Sequence, residues 1–164
     1  MARDTQQTFM NPIEILEELL SNQELPFHRM SPLELVTEVD GRWGSYRLQY
    51  YWQEEIAVLH FSVIFDLNME EVDRDEIHEL LALLNERMIL GHFEMFPPEN
   101  CPAFRYSTLL PNDQGQMLEL IEDAMEISLD ECERCYPAFQ YLQSGEKSAL
   151  EAASIAVMDT AGEA

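Results

Sequence analysis

The spacing of apolar residues changes period several times along the chain, and each change marks an element boundary. After Asn11-Pro12, the residues Ile13, Leu16 and Leu20 recur at helical spacing, with Ile15 and Leu19 widening the stripe. Asn is a favoured N-cap and Pro suits the first helical position, so a helix is predicted from Pro12 to about Ser21, with Pro26 preventing continuation. From Leu33 the period becomes two: Leu33, Leu35 and Val39 face one way, Glu34, Glu38 and Asp40 the other. Asp40-Gly41 predicts a tight turn in which glycine supplies a positive φ. Tyr46, Leu48, Tyr50 and Trp52 then form the inward side of a second strand, with Arg47, Gln49 and Gln53 outward. Past Glu54-Glu55, the inward side of a third strand is Ala57, Leu59, Phe61, Val63, Phe65 and Leu67. Its reverse carries Val58, His60, Ser62 and Ile64, which marks a central strand covered over most of its length.

Helical spacing returns at Asp73-Arg74-Asp75-Glu76, an Asx form of the capping box, followed by the stripe Ile77, Leu80, Leu81, Leu84 and Met88. Gly91 closes that connection. Phe93 and Met95, then Phe104, Tyr106 and Thr108 beyond Pro97-Pro98 and Pro102, predict a hairpin with a proline-rich loop. Pro111-Asn112-Asp113 opens a long helix whose apolar side is Met117, Ile121, Met125, Cys132, Tyr136 and Phe139, which Pro137 should kink or break. Gly145 ends it, and Ser148 to Glu151 predicts a capping box for an alanine-rich helix to about Met158. One domain over 1–164 is expected, with about 1–10 and 159–164 flexible.

Composition changes the picture in one respect. The 164 residues are 46% apolar, enough for one core, but 32 Asp plus Glu oppose 9 Lys plus Arg, a net charge of -23. Such a field repels nucleic acid and anionic membranes, so neither is an expected partner. A basic protein partner suits it, although acidity alone is also a solubility device. No apolar run approaches the roughly 20 residues of a membrane span. Met1 to Thr8 lacks an apolar signal-peptide core, and three cysteines do not make a disulfide framework, so a cytoplasmic, reducing location is expected.

The order helix, three strands, helix, two strands, helix resembles the secretion-chaperone-like fold. More closely, the chain is similar to the YbjN family of bacterial sensory transduction regulators. The resemblance rests on Asn11-Pro12 with its helix, the aromatic meander Tyr46 to Phe65, and Leu84-Asn85 running into Leu90-Gly91-His92-Phe93-Glu94. Phe104-Arg105-Tyr106-Ser107 and the closing segment Gly145 to Ala164 add to it. It implies a two-layer α+β fold, with a five-stranded antiparallel sheet in the order 1-2-3-5-4 and helices on one face. It also implies a non-enzymatic, chaperone-like or regulatory adaptor that binds another protein, forms a homodimer, and carries no catalytic residues or cofactor.

Two constellations suggest chemistry. Cys132-Glu133-Arg134-Cys135 has CxxC spacing and is the alternative reading, a metal- or redox-responsive protein. A zinc site there would need Cys101 and one of His28, His60, His78 or His92 as well. Acidic neighbours raise a thiol's pKa, and buried structural cysteines are the simpler account, so no metal is expected. The second constellation is His60 and Ser62 beside Arg47 and Gln49 on the neighbouring strand. Parallel side chains two apart, with no GxSxG elbow, do not form a hydrolytic pair. An ordinary solvated face accounts for them; read as a recognition surface, Arg47, Gln49, His60, Ser62 and Arg105 are the partner-binding candidates.

Overall fold

A computed structural model describes residues 10–161. The expectation of flexible ends therefore falls largely outside the described residues, apart from 159–161, which continue a helix. In chain order the elements are helix α1 (Pro12–Asn22), strands β1 (Phe27–Ser31), β2 (Glu34–Asp40), β3 (Ser45–Gln53) and β4 (Val58–Phe65), and helix α2 (Arg74–Asn85). The hairpin β5 (His92–Phe96) and β6 (Cys101–Leu109) and the helices α3 (Gln114–Ser144) and α4 (Ala149–Ala161) follow. The sheet is antiparallel throughout, in the order β1-β2-β3-β4-β6-β5.

Six strands replace the expected five. The five expected strands, β2 to β6, lie in the expected relative order, and β1 adds an outer edge beside β2. The short β1 shows no alternation, because its three central residues are all exposed. Backbone pairing holds it, helped by the buried Thr37 hydroxyl, which donates to the Pro26 carbonyl at 2.6 Å.

Alternation and register together put Tyr46, Leu48, Tyr50 and Trp52 opposite Phe65, Val63, Phe61 and Leu59, all buried on one side of the sheet. Helix α1 lays Ile13, Ile15, Leu16, Leu19 and Leu20 into the same core, joined by Ile77, Leu80 and Leu84 of α2 and the inner face of α3. Asn85 acts as a splint between layers, accepting from the Phe93 amide at 2.7 Å and donating to its carbonyl at 2.9 Å. Helix α4 packs its Ala149, Ala152, Ala153 and Ala156 against α2 and α3. Its predicted capping box is present: the Ser148 amide donates to Glu151, and the Glu151 amide to the Ser148 hydroxyl.

Two local expectations need correction. Helix α3 is not broken at Pro137 but runs through it, and the Glu133 carbonyl goes without the hydrogen bond that an amide at 137 would have donated. Gly41 does not have a positive φ. The loop from Gly41 to Gly44 closes through a Gly41 N–H to Gly44 carbonyl bond of 2.8 Å, and its glycines are needed for space. A Cβ at Gly41 would lie 2.1 Å from Glu133 Oε1, and one at Gly44 2.4 Å from the Tyr136 hydroxyl. Both neighbours clamp α3 to the sheet. Tyr46 donates to Glu133 Oε1 at 2.7 Å while the Arg42 amide donates to Oε2 at 2.9 Å. Tyr136 donates to Asp66 Oδ1 at 2.7 Å while the Ser45 amide donates to Oδ2 at 3.0 Å. Burial and the adjoining carboxylates hold both phenols well above their ordinary pKa.

Candidate functional site on the open sheet face

Because side chains alternate across a strand, the residues between the inward ones share the face away from the core. The register arranges them in rows. One row crosses all six strands: His28, Val36, Gln49, Ser62, Arg105 and His92. A second holds Glu34, Tyr51, His60 and Ser107; a third holds Glu38, Arg47, Ile64, Ala103 and Glu94. Arg47, Gln49, His60, Ser62 and Arg105 therefore all lie on one surface, spread over three adjacent rows.

His60 is the most constrained polar group there. Its Nδ1 lies 2.8 Å from Ser107 Oγ and its Nε2 3.1 Å from Gln53 Oε1, while Tyr51 stacks on the ring at a centroid distance of 5.8 Å. A neutral ring satisfies both neighbours by accepting at Nδ1 and donating from Nε2. Burial, then the Arg105 charge, lowers its pKa below the ordinary histidine value. Its hydroxyl partner is Ser107 on β6, not Ser62, and strand spacing alone could not reveal that cross-strand pairing. Gln53 is neutral and cannot stabilise an imidazolium as a carboxylate would, so the Ser107–His60–Gln53 chain is a positioning network.

Both arginines of this surface are already paired. Arg47 contacts Glu99 at 2.7 Å and Arg105 contacts Glu94 at 2.7 Å. Beneath Arg47, a small apolar cluster of Ile64, Cys101 and Ala103, flanked by Phe96, is buried apart from the main core. A shallow cavity of about 350 Å³ opens there, lined by Glu38, Arg47, Ile64, Asn68, Glu99 and Cys101 among others. Glu34, Glu38 and Asp40 remain on this face without an ion pair among the described residues.

The cysteines are divided by the sheet. Cys132 and Cys135 are fully buried in the main core, whereas Cys101 belongs to the small cluster on the open face. Burial pushes the Cys135 thiol up to about 12 and Cys132 well above the ordinary thiol range, with Glu131 raising both further. His28, His60 and His92 lie on the open face and His78 on the exposed side of α2, so the sheet or the helix layer separates the proposed zinc ligands. Among the described residues, no group of three or more His, Cys, Asp or Glu could hold a metal ion. Nor is any described helix long and apolar enough to cross a membrane.

A family model for YbjN, described as "putative bacterial sensory transduction regulator", matches residues 12–141. The chain belongs to the YbjN family. The match contains the meander, the Leu84 to Glu94 segment and the Phe104 to Ser107 segment, while Gly145 to Ala164 lies beyond it. The fold agrees with the crystal structure of YbjN from E. coli at a TM-score of 0.51 and 12% identity, covering 79% of this chain and 95% of that one. No curated protein matches the chain. Local geometry makes Asn85 and Gly91 structural residues of this YbjN-family chain. The first splints β5, and a Cβ at the second, where φ is +70°, would lie 2.8 Å from the Arg105 carbonyl.

Proposed function

We propose that this YbjN-family chain is a non-enzymatic regulatory adaptor that holds a basic segment of another protein on the open face of its sheet. The observation that carries this reading is the charge pattern of that face. Arg47 and Arg105 are neutralised by Glu99 and Glu94, which leaves Glu34, Glu38 and Asp40 of β2 as uncompensated charges on a chain of net -23. Positive potential on a partner steers encounter with such a surface and selects against acidic competitors. Tyr51, 41% exposed and stacked on the fixed His60, supplies a rigid aromatic anchor at little entropy cost. Buried free thiols at Cys101, Cys132 and Cys135 suit a reducing, cytoplasmic setting.

A photo-crosslinking residue at Tyr51, with the same residue at Glu122 on the outer side of α3 as control, tests the face. Capture of one basic protein from Tyr51 and not from Glu122, with a complex that weakens as salt rises, supports the proposal. Capture from Glu122 alone overturns it. A crosslinked homodimer from Tyr51 would assign the face to a second copy. Such a dimer must tighten with salt, because screening relieves repulsion between two strongly acidic chains while apolar burial persists.

A further inference from the structure

A cavity of about 120 Å³ lies between the C-terminal end of α2, the middle of α3 and the outer part of α4. Its apolar wall is Leu83 and Leu84 from α2 and Leu150, Ala153 and Val157 from α4, with Glu86 and Ser154 on the polar side. Two of the chain's nine cations, Arg87 and Arg134, open into it. Arg134 is partly buried, pairs with Glu131, and extends Nη1 to the Ala156 carbonyl at 3.4 Å, so it is held in place at the cavity wall. Arg87 has no ion pair among the described residues, in a chain where acids outnumber cations more than threefold. Leu150 is 64% exposed although it lines the cavity, which leaves apolar wall uncovered.

Unpaired guanidinium, a second guanidinium fixed nearby, and an apolar recess make one kind of chemical address. We infer that this cavity binds a small monocarboxylate with a short apolar tail. The carboxylate accepts hydrogen bonds from Arg87 at the mouth, in the bidentate geometry that guanidinium favours, while Arg134, its charge offset by Glu131, braces the wall. The tail covers Leu84, Leu150 and Ala153. The volume sets the size: a cavity of roughly 150 Å³ accommodates benzene, so a tail of about five or six carbons is the upper limit. The overall charge of -23 opposes every anion, so selectivity depends on the unpaired Arg87. Helix α4 lies outside the residues matched by the family model, so the third wall belongs to this chain rather than to the matched core. The site is also separate from the open sheet face, and its failure would leave the adaptor reading untouched.

Titration of the full-length, isotopically labelled protein with sodium hexanoate, followed by amide NMR, tests the inference. Saturable shifts in the millimolar range, confined to the end of α2 and to α4, are expected, with hexan-1-ol at least about tenfold weaker and hexylamine inactive. Arg87→Gln should weaken hexanoate about tenfold, the usual consequence of losing a charge-assisted hydrogen bond. Because Arg87 and Leu150 are exposed, neither substitution should disturb folding, and Leu150→Glu should abolish binding by placing a like charge at the mouth. Equal binding of hexanoate and hexan-1-ol, shifts unaffected by Arg87→Gln, or no saturable shift would each overturn the assignment.

Discussion

Replacing Glu133 with alanine tests the clamp that joins α3 to the turn after β2. The carboxylate accepts two hydrogen bonds, one from the buried Tyr46 hydroxyl and one from the Arg42 amide. Hydrogen bonds to charged groups contribute about 1.5–3 kcal/mol each, and the more exposed Arg42 bond belongs at or below the low end of that range. Tyr46 is 1% exposed, so its hydroxyl would be left without a partner. Removing one negative charge from a chain of -23 relieves some repulsion and offsets part of the loss. The net expectation is a loss of about 2–3 kcal/mol. Glu133→Gln keeps an acceptor without the charge and should lose about half as much. Urea unfolding at fixed ionic strength measures both. The decisive comparison is the double variant with Tyr46→Phe, which removes the orphaned hydroxyl and should cost at least about 1 kcal/mol less than the two single changes summed. Strict additivity, or a loss below about 0.5 kcal/mol for Glu133→Ala, would show that the clamp carries no stability.

Three further outcomes are expected. The Tyr50 hydroxyl is fully buried with no hydrogen-bond partner among the described residues, so Tyr50→Phe should be neutral or stabilising by up to about 2 kcal/mol in urea unfolding; a clear destabilisation would reveal a hidden partner. Proton NMR should give His60 a titration midpoint below that of a free histidine, and Arg105→Gln should raise it. Because the unfolded ring binds its proton at higher pH than the folded one, this histidine's contribution to stability is present above the ordinary histidine pKa and lost as pH falls below it; a midpoint at or above the ordinary value refutes the assignment. Cys132 and Cys135 should resist a thiol reagent at pH 8 in the native protein and react fully on unfolding, while Cys132→Ser with Cys135→Ser should lower stability by about 1–3 kcal/mol; rapid native labelling would mean that the core opens there.

Where a single segment carried its own pattern, it was legible. The alternation from Tyr46 to Phe65 located β3 and β4, and their outward residues then had to share a face, which is why Arg47, Gln49, His60 and Ser62 lie together; Arg105 joins them through the β4–β6 pairing. Features that depend on contacts between distant segments were not legible. Strand β1 is held by its partner's backbone and by Thr37, so Phe27 to Ser31 has no periodic signal. Ser107 meets His60 only through the β4–β6 register, across 47 positions. Gly41 looked like a turn residue, and it is one, but its lack of a side chain matters because Glu133 approaches from 92 positions away in sequence. Pro137 read as a breaker, yet the helix on either side is anchored by Cys132, Tyr136, Phe139 and Leu142 in the core, and packing outweighs one lost backbone bond. The Arg87–Arg134 recess needs three helices at once; the scarcity of cations was the only sequence-level hint.

The short edge strand β1 also bears on how the protein avoids polymerising. Open sheet edges are templates for intermolecular pairing, and natural proteins blunt them with short, irregular or charged strands. Strand β1 is five residues long, its register breaks between Arg29 and Ser31, and the Arg29 side chain turns back to the carbonyls of Ser31 and Pro32. At the other edge, β5 is equally short and is followed directly by Pro97-Pro98. Strand β2, which β1 covers, is seven residues long and carries Leu35, Val36, Thr37 and Val39. A chain that began at Leu33 would therefore lose more than helix α1: it would present that regular strand to its neighbours, and net charge alone would stand between it and fibrils.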